Sequence, residues 1–328
     1  MIDSAGLARA LPAVLEPVLG QPPGIENLRT LTGGASRHTW AFDAVTGTDR
    51  HALILRTGVT GDANAGMELE ARVQRAAAAA GAPVPHVLAA DDSDDLLGSP
   101  FLICATIEGE TIVRRIQRRL DDVGRNRLLD QCAHALACIH RSRTDDPALY
   151  SGDPLDPWRL RLDEIGDTTA TFEWAFRWLD RHRPTSPSGE PEVLVHGDFR
   201  MGNLIVDHDG LAAVLDWELV HLGQPYDDLS WFCVRAWRFG APATLGAGGL
   251  GSVEDFLHAY ERAAERTIDR TVFRWWLVLA TLRWGIICRL QAQRHLSGQS
   301  RSVELATIGR RVCENEWDLL DLIGDTTR

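Results

Sequence analysis

The 328-residue sequence contains no lysine: all 34 of its Lys-plus-Arg positions are arginine. No lysine can therefore clamp a phosphate, form a Schiff base or act as a general base. Any cation of that kind in a site is the planar guanidinium, which keeps its charge and binds two acceptors as a fork. Cysteine is sparse, six in all, and no two stand in a C-x-x-C pair, which argues against a thiolate zinc site. Scattered among apolar neighbours, they read as free thiols in a reducing, cytoplasmic setting. Long hydrophobic runs are missing. The most apolar stretch, Trp275–Leu290, is interrupted by Arg283 and predicts a buried helix, not a bilayer span. The first twenty residues carry acids and prolines and lack a basic start with a long apolar core, so they do not read as a signal peptide. Positive charge is in the minority, giving a formal net charge of −12. That argues against nucleic-acid and anionic-membrane partners, which need basic patches. Internal repeats and low-complexity segments are absent, and the oligomeric state is left open.

The length suggests about two domains with ample core. The chain is organised around Val193–Trp217, VLVHGDFRMGNLIVDHDGLAAVLDW. Val193–Val195 is a short β-branched run, broken by His196-Gly197-Asp198. Asn203 opens a second apolar run, and Asp209-Gly210 is a hairpin turn signal. With that turn, His208 faces Leu211 and Asn203 falls opposite Asp216, about 5 Å away. An amide oxygen beside a carboxylate offers hard ligands of the kind Mg²⁺ accepts. Asp198, in the loop just before, is free to face a substrate hydroxyl.

H-G-D-x-x-x-x-N followed by an apolar hairpin and L-D-W-E resembles the signature of the aminoglycoside phosphotransferase/choline kinase family. It is similar to the H-R-D-x-x-x-x-N and D-F-G pair of protein kinases. The longer wording, VHGDFRMGNLIVD…VLDWELVHLGQPYDDLSW, is closest to a bacterial branch similar to the kinase-like domains fused to acyl-CoA dehydrogenases. The resemblance implies an α+β, bilobal protein-kinase-like fold, with a small antiparallel-sheet lobe over residues 1–106 and a larger, mainly helical lobe over 107–328. It implies ATP- and Mg²⁺-dependent phosphorylation of a small hydroxylated molecule. Asp198 is then the catalytic base, and Asn203 and Asp216 hold the metal. Two rival readings remain: a non-catalytic nucleotide-binding module, and a metal-dependent hydrolase built on His196, Asp198, Asp216 and His221.

Other elements fall in the order such a fold requires. Leu7–Leu19 is a short amphipathic helix broken near Pro12 and Pro17. Two strands flank Gly33-Gly34-Ala35-Ser36, a turn whose backbone N–H groups, with Ser36, can approach a phosphate. Strand His51–Arg56 ends in a cation, where the kinase-like pattern has lysine. In helix Met67–Ala80, Glu70 matches the position of its carboxylate partner, and Glu68 is the other acid of the first turn. The run from Pro100 to Thr106 looks like a last strand and hinge, with backbone groups near Cys104 and Thr106 facing adenine. Long helices follow, over Leu120–Arg141 and Trp158–His182, then three more over 253–266, 271–296 and 303–323. Asp228 matches an aspartate that buttresses the catalytic loop, Asp227 reads as a helix cap, and Glu218 could support the metal. His134 and His140 read as core or capping residues. Trp231, Arg235, Trp237, Arg238, Trp275, Trp276 and Arg283 form an aromatic and arginine mixture that favours an anionic or partly apolar acceptor, unless these tryptophans are core.

Overall fold

The computed structural model describes residues 4–31, 38–58, 66–184 and 191–324. The Gly33–Ser36 turn lies outside them.

Period-two alternation in the first third of the chain forms an antiparallel sheet of five strands. These are β1 (Gly24–Leu31), β2 (His38–Thr46), β3 (Asp49–Thr57), β4 (Val87–Asp91) and β5 (Phe101–Ala105), in the order β1-β2-β3-β5-β4. The register sets Arg56 opposite Thr39 on one side and Leu102 on the other. Helix α1 (Ser4–Leu19) runs unbroken through Pro12 and Pro17, contrary to the expected break. Its Leu7, Leu11 and Leu15 are buried with Phe42, Leu53, Leu55 and Phe101. Each such leucine contributes about 2 kcal/mol, which opposes the ~3 kcal/mol an interior proline costs a helix.

Helix α2 (Met67–Ala79) faces two ways. Met67 and Ala71 pack with Val87, Leu102 and Cys104 against the sheet. Leu69, Val73 and Ala77 join the main core of the helical part. Glu70 lies between these two stripes, fully buried.

Beyond β5 the chain is mainly helical: α3 (Val113–Arg119), α4 (Asp122–Arg141), α5 (Asp156–Ile165), α6 (Ala170–Arg181), α7 (Tyr226–Cys233), α8 (Val253–Ala264), α9 (Arg270–Leu296), α10 (Val303–Gly309) and α11 (Val312–Gly324). The helix expected over Trp158–His182 is two, because Gly166 takes φ +71° and ends α5. Helix α9 is long and apolar enough to cross a membrane, but 72% of its apolar window is buried inside the protein. It packs against α5, α6, α7, α10 and α11.

Two small sheets carry the central motif. β6 (Val193–Val195) pairs with β9 (His221–Gly223), and β7 (Leu204–Val206) pairs with β8 (Leu211–Val214). Glu110, just past the large sheet, exchanges both backbone hydrogen bonds with Val206, so the linker is stitched to the hairpin.

Candidate active site

The hairpin register differs by one residue from that expected. Leu204 pairs with Val214 and Ile205 with Ala213, while Val206 pairs with Leu211. The Asp207 N–H bonds the Gly210 carbonyl, and the Asp207 carboxylate accepts from the N–H groups of Asp209 and Gly210. The two-residue loop is therefore His208-Asp209, and Ala212 is an extra residue on β8. Asn203 consequently lies beside Leu215, whose N–H donates to the Asn203 carbonyl at 2.8 Å, and not opposite Asp216. Asp216 sits beyond the ladder at φ +69°, a left-handed conformation that aspartate tolerates.

One imidazole still brings the two ends of the motif together. His196 is fully buried. Its Nδ1 accepts from the Asp198 N–H at 3.2 Å, and its Nε2 donates to the Leu215 carbonyl at 3.1 Å. These partners define a neutral tautomer. Burial holds its pKa below the ordinary histidine value, in spite of nearby Asp228, Asp198 and Asp216. Asp198 and Asp216 thus stand next to residues held on either side of a single ring.

Gly197, between His196 and Asp198, takes φ +82°, and a Cβ there would lie 2.3 Å from the Leu219 carbonyl oxygen. Only glycine fits this turn. Its N–H and that of His196 both donate to Asp228, at 2.9 and 2.7 Å. Asp228, fully buried at the start of α7, also accepts from His140 Nε2 at 3.1 Å, and His140 Nδ1 meets the Tyr260 hydroxyl at 2.7 Å. Burial alone would raise the Asp228 pKa, but these donors and the neighbouring histidines hold it below the usual carboxylate value. The loop therefore hangs from α4, α7 and α8 through one carboxylate. His140 is a core residue, as its sequence context suggested.

The Asp198 carboxylate accepts four bonds. Asn203 Nδ2 donates to its Oδ2 at 2.7 Å, Trp231 Nε1 to its Oδ1 at 2.8 Å, and Arg200 Nε to both oxygens at 3.0 and 3.1 Å. With the Asn203 amide nitrogen engaged, its Oδ1 is left as the acceptor atom. Trp231 and Arg200 were not singled out at this position by spacing; Trp231 lies 33 residues away and reaches Asp198 only because α7 folds back over the loop.

Across the cleft, Arg56 Nη1 meets Glu70 Oε2 at 3.1 Å and Arg56 Nη2 meets Asp216 Oδ1 at 2.9 Å. The fork joins strand, α2 and hairpin, a link one ammonium would make poorly. Burial opposes its charge, but Glu70, Asp216 and Glu218 outweigh this and raise its pKa. Cys104 is buried nearby, its thiol pushed up to about 11 by burial. The N–H groups of Ala105 and Thr106 already donate to His86 and Ala52, so at these two positions the hinge donors serve the sheet.

Arg283 is also structural. Buried to 6% exposure, it pairs with Asp227 at 3.1 Å, donates to the Gly197 carbonyl and lies 4.2 Å from the Trp231 ring centre. Asp227 is thus an ion-pair partner and not a helix cap. His221 Nε2 also meets Asp227, at 3.3 Å, while its Nδ1 contacts the Leu219 carbonyl. Both ring nitrogens of His196 and of His221 are engaged within the protein, and the hydrolase reading loses its nitrogen ligands. Among the described residues the compact His/Asp cluster is Asp207-His208-Asp209, exposed at the hairpin tip. Trp275 and Trp276 are core.

The sequence matches the model of the phosphotransferase enzyme family over residues 27–276. The chain belongs to that family. This phosphotransferase is 30% identical over 273 residues to acyl-CoA dehydrogenase family member 11 of Gallus gallus, a match covering 77% of the chain and 33% of that protein. It spans 25% to 33% of the length of the first curated relatives it matches. Its fold superposes with a TM-score of 0.78 on a Ralstonia eutropha protein provisionally described as an aminoglycoside phosphotransferase, at 21% identity and covering 98% and 99% of the two chains. A spectinomycin phosphotransferase, solved with ADP and spectinomycin, superposes with a TM-score of 0.63 at 15% identity over 94% of each chain. The kinase-like α+β architecture expected from sequence is the one observed.

Proposed function

We propose that the protein transfers the γ-phosphoryl group of ATP to a hydroxyl of a small molecule. The observation that carries this reading is the Arg56 fork, which ties Glu70 to Asp216 beside a loop presenting Asp198 and Asn203. Family membership and the ADP held by the spectinomycin phosphotransferase support a nucleotide in the same cleft. Asp198 accepts the hydroxyl proton and aligns the oxygen, its own orientation set by Asn203, Trp231 and Arg200. The acceptor oxygen forms a bond to the γ-phosphorus as the bond to the β-γ bridging oxygen breaks, and ADP leaves.

The donor set suits a hard divalent cation. The Asn203 Oδ1 and the partly exposed Asp216 carboxylate are oxygen ligands, and no described histidine nitrogen is available beside them. Bound Mg²⁺ would neutralise charge on the phosphates. Arg56 would hold the α- and β-phosphates, with Glu70 fixing its plane. Asp228, His196 and Gly197 hold the loop but touch neither reactant.

The test is a coupled ADP-release assay with mass spectrometry of the acceptor, run over a panel of hydroxylated compounds with Mg²⁺ and ATP. A phosphorylated product that disappears in Asp198→Asn supports the reading. Failure of millimolar ATP with Mg²⁺ to raise the melting temperature would sink it as a working enzyme.

A further inference from the structure

A cavity of about 770 Å³ opens between α3, the 3₁₀ turn Arg235–Arg238 and α11. Arg114, Arg235, Arg238 and Arg311 line it, with Glu314, Asp318 and Asp321. Two of these arginines are neutralised locally: Arg235 meets Asp318 at 2.7 Å and Arg311 meets Glu314 at 3.0 Å. Arg238 makes no ion pair among the described residues, and its Nε is buried with no acceptor. Burial and the like charge of Arg235 hold its pKa below the ordinary arginine value, Asp318 offsetting this only in part.

Two more donors close to Arg238 lack acceptors, though neither lines the cavity. Trp237 Nε1 and Trp284 Nε1 are buried without a partner. Their rings lie 4.6 Å apart, and Trp237 lies 5.2 Å from Trp231, whose own N–H is bonded to Asp198. Arg200, which holds Asp198, lies over the Trp237 ring at 5.0 Å. The cavity wall is therefore joined to the catalytic carboxylate through side chains in direct contact.

Each buried donor left unpaired carries a desolvation cost, and such groups in native proteins call for a missing acceptor. Of these groups only Arg238 lines the cavity, and its guanidinium, without an ion-pair partner among the described residues, has the fork that matches a carboxylate or a phosphate. A polycation would bring the wrong sign to Arg238. We propose that the acceptor is a hydroxylated molecule bearing a carboxylate or phosphate group, held at this cavity by Arg238 while its hydroxyl reaches Asp198. This inference rests on the phosphotransferase reading and names the acceptor class for it.

The test uses thermal shifts of the full chain. The anionic probes are inorganic phosphate, glycerol 3-phosphate and 3-hydroxybutyrate. Their neutral counterparts are glycerol and 3-hydroxybutyramide, and kanamycin serves as the polycation. The expected result is a saturable rise with at least one anionic probe and none with the neutral compounds or kanamycin. Apparent affinity should weaken about tenfold or more in Arg238→Gln and recover in part in Arg238→Lys. Comparing the phosphate probes with the hydroxy acid separates the two anion types. The inference is overturned if no anion shifts the protein or if Arg238→Gln responds as wild type does. An ATP–Mg²⁺ shift in the same series reads the phosphotransferase assignment separately. Anion binding lost with the nucleotide shift intact overturns only the anionic acceptor. A missing nucleotide shift with anion binding intact overturns the cavity's role as an acceptor site.

Discussion

Arg56 Nη2 stands 2.9 Å from Asp216 Oδ1, although 160 residues of chain separate them. The same guanidinium holds Glu70, so one side chain records whether strand, helix and hairpin are in register with one another. Replacing Asp216 with alanine removes one of the two carboxylates that the Arg56 fork holds. Because Asp216 is partly exposed, the variant should lose less than about 1 kcal/mol of stability. The Mg²⁺-dependent part of the ATP thermal shift should vanish. Retention of that shift would remove Asp216 from the metal site.

Arg56→Lys tests the fork itself. An ammonium is a point charge and cannot present two parallel donors to two carboxylates. We expect kcat/KM for ATP to fall about tenfold, the value of one lost charge-assisted bond, with the unliganded melting temperature little changed. An unaltered kcat/KM would show that charge alone suffices.

Gly197→Ala should be among the most damaging single-methyl additions in the chain. Left-handed backbone costs a non-glycine residue about 1–2 kcal/mol, and the new Cβ would meet a backbone oxygen that cannot move aside cheaply. Urea denaturation should show a loss of more than about 2 kcal/mol. A loss below 1 kcal/mol would mean the loop can re-form elsewhere.

Asp228→Asn keeps the shape but offers one acceptor oxygen where two are used, and turns an amide N–H toward donors. A cost of about 2–4 kcal/mol follows. The native Asp228 pKa is depressed, so its stabilisation is complete above the unfolded value of 3.8 and fades as pH falls through the lower folded value. The acid limb of the wild-type stability curve should flatten in the variant.

Two histidines give opposite slopes on either side of 6.5. His196 is held neutral by burial, so its contribution is complete above 6.5 and declines as pH falls toward its lowered pKa. Burial would lower His221 as well, but its bond to Asp227 outweighs that and raises it. Its contribution is present below 6.5 and is lost as pH rises through the raised value. Chemical denaturation from pH 5 to 8 should show His221→Gln removing the alkaline decline while leaving the acidic one. A variant curve parallel to wild type across the range would contradict the His221 assignment.

Much of this site was legible because its signals are local. H-G-D-x4-N, a strand ending in Arg56, a helix opening with Glu70, and Asp228 before a leucine each sit within one element, and their order implied the fold. The register of the hairpin was not legible. The bulge at Ala212 depends on how Asp207 folds its carboxylate over the turn, and on Gln131 of α4, which bonds Asp209 and Leu211 from 78 and 80 residues away. Trp231, Arg200 and Arg283 were visible only as residue types. The Trp231 bond to Asp198 and the Arg283 bond to the Gly197 carbonyl arise when α7 and α9 close over the loop, Arg200 meets the Trp237 ring of the 3₁₀ turn, and no periodicity encodes these contacts. α1 misled for a related reason: its prolines signal a break, while its leucine stripe, once docked on the sheet, holds the helix together.

The catalytic loop takes its backbone support from behind, through Asp228, Arg283 and the His196 ring, whereas the cavity wall at 235–238 and α11 supplies none of those bonds. On the proposed reading, phosphoryl transfer and acceptor recognition would draw on separable pieces of the chain, and a library randomised at 235, 238, 314 and 318 should yield variants with altered acceptors more often than variants that no longer fold.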